Sequence, residues 1–347
     1  MYVALRDLRA ARGRFALITL VVLMVAVLTS FLSGLTAGLR HQNVSAIEAI
    51  TAQTVVFSGD QAEPSFDDSA VTTDQIATWE RAGGKVDPIG ISRTKALSEG
   101  GPTASVAMIG ADAGFGDRAP TVPHTVALSK AAASELDAGV GDTVTLGGEQ
   151  FDVGAVRGDD WFSHSPVVWI GLADWQALNQ TTDATVLAVS GVSDTGAVDR
   201  SAGTTATSVS DSLQAIGSYK SENLSLTLMT VMLFAISALV IGAFFTVWTI
   251  QRTPDIAVLK ALGASTGSLV RDALGQALIV LVVGVGAGLA ITVAAGQITG
   301  DAVPFVIDMS TTLVPAAALV GLGLLGAGFA LRFVSTTDPL TALGSTR

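Results

Sequence analysis

Residues 15–39 read FALITLVVLMVAVLTSFLSGLTAGL, an uncharged stretch of 25 residues between Arg14 and Arg40. A helix needs about 20 predominantly apolar residues to cross the hydrocarbon core of a bilayer. The stretch is longer than the apolar region of a secretory signal peptide, and it is not followed by a typical small-residue cleavage site. We therefore expect an uncleaved membrane span.

Three further uncharged stretches follow, at residues 223–251, 273–300 and 309–331. Four stretches of this length in one chain argue against the buried helices of a water-soluble protein. The composition agrees, because 49% of the 347 residues are hydrophobic and 14% are charged, whereas a soluble domain carries about 25% charged residues. The sequence predicts an α-helical integral membrane protein with four transmembrane helices.

The charges of the connecting segments predict the orientation of the chain. Residues 1–14 carry a net charge of +3, and residues 252–272 and 332–347 carry +1 each, whereas residues 40–222 carry 10 basic and 24 acidic side chains. Short loops rich in Lys and Arg stay in the cytoplasm. Both termini and the second loop are therefore predicted to be cytoplasmic, and the acidic segment extracellular.

Residues 40–222 read as an α+β domain, because short β-branched runs alternate with helix-like stretches at steady spacing. The predicted strands are 54–58, 105–109, 125–128, 143–146, 151–156, 167–170 and 185–189, and the predicted helices are 74–82 and 130–136. We expect the first span helix to continue outward through residues 44–52. Residues 193–220 are predicted to form a loop that becomes a helix leading into the second span.

The predicted fold is therefore integral membrane α-helical, with an extracellular α+β domain inserted between the first and second spans and joined to them by helical stalks. The predicted order is a cytoplasmic amphipathic helix (1–14), the first span (15–39), the extracellular domain (40–222), the second span (223–251), a cytoplasmic loop with a short helix (252–272), the third span (273–300), a short extracellular loop (301–308), the fourth span (309–331) and a cytoplasmic tail (332–347).

Composition also excludes several classes of function. The chain has no Cys and three His, which removes disulfides and thiolate metal sites and argues against a multi-histidine metal centre. A net charge of −11 argues against nucleic-acid binding, which needs a basic face. Since no G-x-x-x-x-G-K-[ST] loop is present to bind nucleotide phosphates, any ATP chemistry must come from another chain. We do not expect an enzyme.

Two local patterns in and between the spans bear on assembly. Thr253, Pro254 and Asp255 are typical of a helix start, and Gly263 is placed to end that helix, which could lie on the membrane or contact a cytoplasmic partner. The small-xxx-small patterns at 34–38 and 284–288 allow close helix approach, either within one bundle or at a homodimer seam.

Residues 252–265, RTPDIAVLKALGAS, resemble the signature R-x-x-E-I-x-x-L-K-A-x-G-A-S of the MacB/FtsX-like permeases, the membrane subunits of a branch of the ABC transporters. Residues 338–343 (DPLTAL) are similar to the family's tail pattern D-P-x-x-A-L, and 126–129 (VALS) with 139–148 (GVGDTVTLGG) to a pattern of its outer domain. The order of spans and domain also matches. Asp255 stands where Glu is more usual.

This resemblance implies a homodimer of the chain in the bacterial cytoplasmic membrane, in contact with membrane lipid and working with two copies of an ABC ATPase subunit that bind ATP and Mg. It also implies an element that transmits ATPase closure to the spans. The residues that match the family's signature there are Arg252, Asp255, Ile256, Leu259, Lys260, Gly263 and Ala264.

Within the family, the single outer domain of modest size and the lack of a fused ATPase are most similar to the haem-exporting permeases of Gram-positive bacteria. The implied substrate is haem, extracted from the membrane and released outward at the expense of ATP in the partner chain. Two alternatives stay open: a MacB-like exporter of a drug, peptide or lipid, and a non-transporting FtsX-like mechanotransmitter.

Haem as a substrate needs an apolar slot, an axial iron ligand and cations for its propionates. The candidates at the outer ends of the first two spans are Glu48, Glu222, His41, Arg40, Tyr219 and Met229. Glu48, Glu222 and His41 are the candidate iron ligands; His41 and Glu48 are seven residues apart and share a helix face. We expect no other metal and no intrinsic cofactor, and we interpret His124 and His164 as ordinary surface or core residues.

Overall fold

The computed structural model describes residues 12–60, 62–253, 258, 260, 262–299 and 303–335. Two compact units divide the chain: Met1–Gly38 with Ser225–Arg347, and Leu39–Leu224. We call the first the membrane unit and the second the inserted domain. Most of the predicted N-terminal helix, residues 301 and 302, and the tail from 336 lie outside the described residues.

The elements follow one another in a long helix, a mixed domain and three further long helices. In chain order they are α1 (Arg12–Glu48), β1 (Thr54–Ser58), α2 (Thr73–Arg81), β2 (Lys85–Ser98), β3 (Thr103–Ala111), β4 (Thr125–Leu128), α3 (Lys130–Leu136), β5 (Thr143–Leu146), β6 (Glu149–Val156), β7 (Trp161–Phe162), β8 (Ser165–Gly171), α4 (Leu172–Asn179), β9 (Val186–Ser190), α5 (Thr195–Ala202), β10 (Thr204–Ser208), α6 (Val209–Ser212), α7 (Gly217–Gln251), α8 (Thr266–Thr299) and α9 (Met309–Ser335).

The strands of the inserted domain form one sheet in the order β10-β1-β9-β2-β3-β8-β4-β6-β5, with β7 paired to β8. The long strand β2 pairs with β9 through its first half and with β3 through its second half. Its last residues, Ala96–Ser98, also pair with β5. That additional pairing closes β2, β3, β8, β4, β6 and β5 into a ring.

Strand β3 is buried on both faces and separates two cores. Val106 and Met108 lie in a core with α3 and α4, whereas Ala107 and Ile109 lie in a second core, as the two-residue period of a strand requires. The second core also contains the last turns of α1 and the first turn of α7, including Val44 and Tyr219. The two long helices are therefore anchored in the same hydrophobic core as the sheet.

All seven predicted strands are present, and so are both predicted helices. The helix predicted to lead from residues 193–220 into the second span is present, since α7 begins at Gly217, but the loop predicted before it was wrong, because that part forms α5, β10 and α6. Strand β10 has the sequence TTATS and pairs antiparallel with β1 alone, at the edge of the sheet. It lacks the apolar residues by which a central strand is recognised in a sequence. Helix α1 ends at Glu48, before the predicted Ala52.

Within the described residues, four helices are long and apolar enough to cross a membrane, and the predicted fold class is confirmed. Their facing side chains form one core, with Phe15 and Val22 from α1, Phe245 from α7, Leu281 from α8 and Leu319 from α9. None of these helices is strongly amphipathic, which is typical of helices surrounded by an apolar environment.

Close helix packing explains the two small-xxx-small patterns. A Cβ atom at Gly284 would lie 2.8 Å from Val22, and one at Gly288 would lie 2.7 Å from Ala26, so α8 approaches α1 through these glycines. Gly34 on α1 similarly faces the ring of Phe305. Both patterns therefore serve packing within one chain.

Candidate functional site

Three predicted residues of α1 lie in one polar cluster of the inserted domain, which we call the α1 cluster. The Arg40 Nη2 donates to Glu48 Oε1 at 2.6 Å, and both side chains are about half exposed. His41 Nε2 lies 3.1 Å from Asp159 Oδ2. Exposed ion pairs of this kind contribute about 0–1 kcal/mol, so the partners can separate at little cost.

The loop between β6 and β7 supplies two neighbouring carboxylates with opposite environments. The hydrogen bond to His41 holds the pKa of Asp159 below its usual value, with a second contribution from the Trp161 indole N–H at 3.2 Å. Burial instead raises the pKa of Asp160. Its Oδ2 accepts from Trp169 Nε1 at 3.0 Å and lies 3.3 Å from Arg118 Nε. Asp159 faces α1, while Asp160 fixes the loop to the sheet.

A second polar cluster joins α1 to the first turns of α7, and we call it the α7 cluster. His164 Nε2 lies 3.0 and 3.2 Å from the two carboxylate oxygens of Glu222. Asn43, which is 1% exposed, donates to Glu222 at 3.3 Å and accepts from Ser218 Oγ at 2.7 Å. The Ser163 hydroxyl lies 2.8 Å from that of Ser218. Two of the predicted ligand carboxylates, Glu48 and Glu222, therefore take part in different clusters.

The turn between β7 and β8 carries the α7 cluster. Ser163 and His164 both have positive φ, 49° and 60°, the backbone of a tight hairpin turn that usually selects Asn-Gly. Their backbone N–H groups donate to the carbonyls of Asn43 and Gln42 on α1, each at 2.9 Å. The turn thus holds α1 through its backbone and α7 through its side chains.

The sequence indicated no contact for His164 beyond an ordinary surface or core position, and the structure places it against Glu222. A two-residue hairpin turn with two positive φ values is usually recognised by Asn-Gly, Asp-Gly or Gly-Gly, and Ser-His is none of these, so the sequence did not indicate the turn. Tyr219 is 7% exposed and packs in the core of the inserted domain, whereas Met229 belongs to the membrane unit and is 55% exposed. Within the described residues no group of three His, Cys, Asp or Glu could hold a metal ion.

Of the residues matched to the coupling signature, Arg252 makes the most informative contacts. Its guanidinium donates to Gln276 Oε1 and lies 5.2 Å from the ring centroid of Trp248. Gln276 is fully buried, and its Nε2 donates to Asp272 at 3.4 Å. This arrangement ties the end of α7 to α8 just before the connecting segment.

The rest of that segment is described in part. Gly263 has a φ of +93°, a backbone conformation that favours glycine, and its N–H donates to the carbonyl of Lys260 at 3.0 Å. This agrees with its predicted place at a helix end. Ala264 follows without regular structure. Asp255, Ile256 and Leu259 lie outside the described residues.

The α7 cluster predicts a measurable coupling between His164 and Glu222. We expect His164→Ala and Glu222→Ala each to lower the free energy of unfolding, with a coupling energy of about 0.5–1.5 kcal/mol in a double-mutant cycle. The cycle is measured by urea unfolding of the full chain in detergent. His124→Ala is the matched control, since His124 pairs with Asp174 elsewhere; a zero coupling energy would mean that the pair does not hold α7.

The sequence of this chain is similar to known membrane permeases. Residues 227–339 match the family described as FtsX-like permease C-terminal. Over 99% of both chains, this protein is 25% identical to a protein of Staphylococcus haemolyticus that is provisionally named hemin transport system permease protein HrtB, and 25% identical to one of Staphylococcus epidermidis with the same name. An uncharacterized ABC transporter permease of Mycobacterium tuberculosis is 24% identical, again over 99% of both chains.

Two solved structures also share similarity with this chain. The extracellular domain of the noncanonic ABC-type transporter YknZ from Gram-positive bacteria matches 47% of this chain and 93% of its own, with a TM-score of 0.33 and 14% identity. The periplasmic region of MacB from Actinobacillus actinomycetemcomitans matches 49% and 95%, with a TM-score of 0.35 and 13% identity. The last three long helices of the chain match the FtsX-like permease C-terminal family, and over its full length the chain is similar to ABC transporter permeases.

Proposed function

We propose that this permease exports haem, taking it from the cytoplasmic membrane and releasing it outward while a separate ATPase subunit hydrolyses ATP. The observation that carries the proposal is the similarity to the staphylococcal HrtB proteins, which extends over 99% of both chains at 25% identity. Hemin appears in the names of those relatives, not in any property of this chain. The side chains of the α1 cluster are chemically suited to bind it.

The α1 cluster offers both an iron ligand and a cation for propionates. His41 Nε2 has the partly exposed Asp159 as its side-chain partner, and a carboxylate that accepts from an imidazole orients the ring and raises its basicity. Glu48 is held by Arg40. If a propionate replaced Glu48 on the guanidinium, a bidentate pair could form, and the Glu48 carboxylate would be released toward iron.

Glu222 is a weaker candidate than His41 or Glu48. His164 and Asn43 both bind its carboxylate, so ligation of iron would require those hydrogen bonds to break. Tyr219, being buried in the core, supports the helix base instead of offering a surface to haem. We therefore rank the iron ligands as His41 and Glu48 first, then Glu222.

The assembly belongs to the same proposal. We infer a homodimer with two ATPase subunits, cytoplasmic termini and an extracellular inserted domain, because the basic short segments carry the charge bias of cytoplasmic loops. Arg252, Lys260, Gly263 and Ala264, with the undescribed Asp255, Ile256 and Leu259, would face the ATPase. The partner would bind the ATP and Mg.

Titration of the purified permease–ATPase complex with haemin tests the proposal. We expect a saturable Soret shift that is lost in His41→Ala or Glu48→Ala. Asp159→Asn, which removes the partner of the imidazole, should weaken haemin binding about tenfold. His124→Ala and Glu80→Ala are matched controls on the exposed surface of the inserted domain.

A spectrum identical to that of haemin in empty detergent micelles would contradict haem export. ATPase stimulation by a drug, peptide or lipid would then indicate a MacB-like exporter. A tightly bound extracellular protein without substrate-dependent ATPase activity would indicate a mechanotransmitter.

A further inference from the structure

An apolar groove of about 760 Å³ runs between α8 and α9 in the membrane unit. All the residues that line it are glycine, leucine or phenylalanine. Its walls include Leu278, Leu325 and Phe329, which are 40%, 61% and 72% exposed. Gly275, Gly321 and Gly328, which we call the groove glycines, leave the space between these walls open.

Helix packing within the chain does not explain the groove glycines. A Cβ atom at Gly323, on another face of α9, would lie 2.6 Å from Leu281, so that glycine is required for close helix contact. At the three groove glycines an added Cβ atom would meet no heavy atom within 4 Å. The groove is therefore a concave apolar surface that no described residue of the chain fills.

One end of the groove carries positive charge. Arg271 lies four residues before Gly275 and hence on the same face of α8, and it is exposed. It makes no ion pair or side-chain hydrogen bond with any residue that the structure describes. The adjacent Asp272 instead accepts from Gln276.

The length of the groove matches one leaflet of a bilayer. On α9 it extends from Gly321 to Phe329, eight residues or about 12 Å at 1.5 Å per residue. Half of the hydrocarbon core is about 15 Å thick. A spanning helix of a second copy would contact a stripe along the whole core, whereas an acyl chain of one leaflet needs only this length.

We propose that the groove binds an anionic phospholipid, with one acyl chain between α8 and α9 and the phosphate on Arg271. The apolar lining, the short length and the exposed Arg271 at one end each match one part of that molecule. The site differs from the α1 and α7 clusters, and it does not depend on haem being the substrate.

Native mass spectrometry of the full chain in detergent, with phosphatidylglycerol and phosphatidylcholine added in competition, tests this site. The wild-type protein should retain phosphatidylglycerol in preference to phosphatidylcholine. Arg271→Gln should reduce that preference about fivefold, the effect of one cation near a lipid phosphate. Gly321→Leu, which fills the groove where a Cβ atom has room, should abolish retention of both lipids.

Two matched variants separate the site from general effects. Gly286→Leu adds the same side chain to α8 where a Cβ atom also meets nothing within 4 Å, eight residues beyond the groove, and Lys260→Gln removes a charge from the connecting segment. Both should bind lipid like the wild type. Equal retention in Gly321→Leu and Gly286→Leu would overturn the proposal, and so would a wild type without preference. A shift of Gly321→Leu from dimer to monomer would assign the groove to a second copy of the chain.

Discussion

Gly110→Val is expected to unfold the inserted domain at denaturant concentrations that leave the wild type folded. Gly110 on β3 pairs directly with Gly90 on β2, and Trp175 lies over both glycines, where an added Cβ atom would overlap it. A glycine within a strand often marks such a close approach. Trp175 is 5% exposed and donates to Ser92 Oγ at 3.0 Å. Displacing it would expose a large ring and break that hydrogen bond.

We expect the free energy of unfolding to fall by about 3 kcal/mol, at the upper end of the usual cost of overpacking a core. Urea unfolding of the full chain in detergent, followed by tryptophan fluorescence, measures it, because Trp79, Trp161, Trp169 and Trp175 lie in the inserted domain and Trp248 is the fifth tryptophan of the chain.

Gly154→Val is the matched control for this prediction. Gly154 also lies in a strand, but a Cβ atom there would sit 3.5 Å from Thr125 in ordinary contact, so its cost should stay below about 1 kcal/mol. Removing the ring by Trp175→Ala should also make Gly110→Val nearly harmless, a large non-additive effect between contacting residues. Equal costs for Gly110→Val and Gly154→Val would contradict the close approach of Trp175.

The same contact shows what the sequence could predict about the fold. Runs of β-branched residues marked seven strands, since these residues pack on a pleated surface wherever the strand lies. Strand β2 was missed because it contains Pro88 and Gly90, residues that usually argue against a strand. Gly90 is required because the ring of Trp175, 85 residues later in the sequence, packs against it. Such a tertiary contact cannot be read from the local sequence.

For the candidate site, too, the sequence predicted local features but not the contacts between distant residues. Helical spacing placed His41 and Glu48 on one face of α1, but the structure gives them different partners, Asp159 and Arg40. The fold of the inserted domain brings Asp159 to His41, 118 residues away in the sequence, and His164 to Glu222, 58 residues away. Local periodicity carries no information on such pairings, whereas the span lengths depend on composition alone.

Asp160→Ala is expected to have the second large effect, about 3 kcal/mol or more in the free energy of unfolding. The side chain of Asp160 is 4% exposed. Its removal leaves the indole N–H of the buried Trp169 without its acceptor and Arg118 without its ion-pair partner. The cost of leaving the buried indole N–H without an acceptor exceeds the net value of the hydrogen bond itself, and the partly exposed Arg118 loses its partner as well.

The substitution should also reach the α1 cluster. The loop that Asp160 fixes to the sheet presents Asp159 to His41, and the backbone N–H of Trp161 donates to Ser45 Oγ on α1 at 2.8 Å. A loosened loop should therefore weaken haemin binding in the complex as well as stability. Unchanged haemin affinity in a folded Asp160→Ala protein would show that this loop does not contribute to haemin binding.

Asp160→Asn keeps the shape and an acceptor for Trp169, and its effect should depend on pH. Because burial raises the pKa of Asp160 above 3.8, the folded protein holds this proton at pH values where the unfolded chain has lost it. The wild type should therefore lose stability relative to Asp160→Asn as pH rises from about 4 through the raised pKa, and the difference should be constant above it. Unfolding measured between pH 4 and 8 decides the sign: if the wild type gained stability relative to Asp160→Asn over this range, attraction to Arg118 would outweigh the desolvation of the carboxylate.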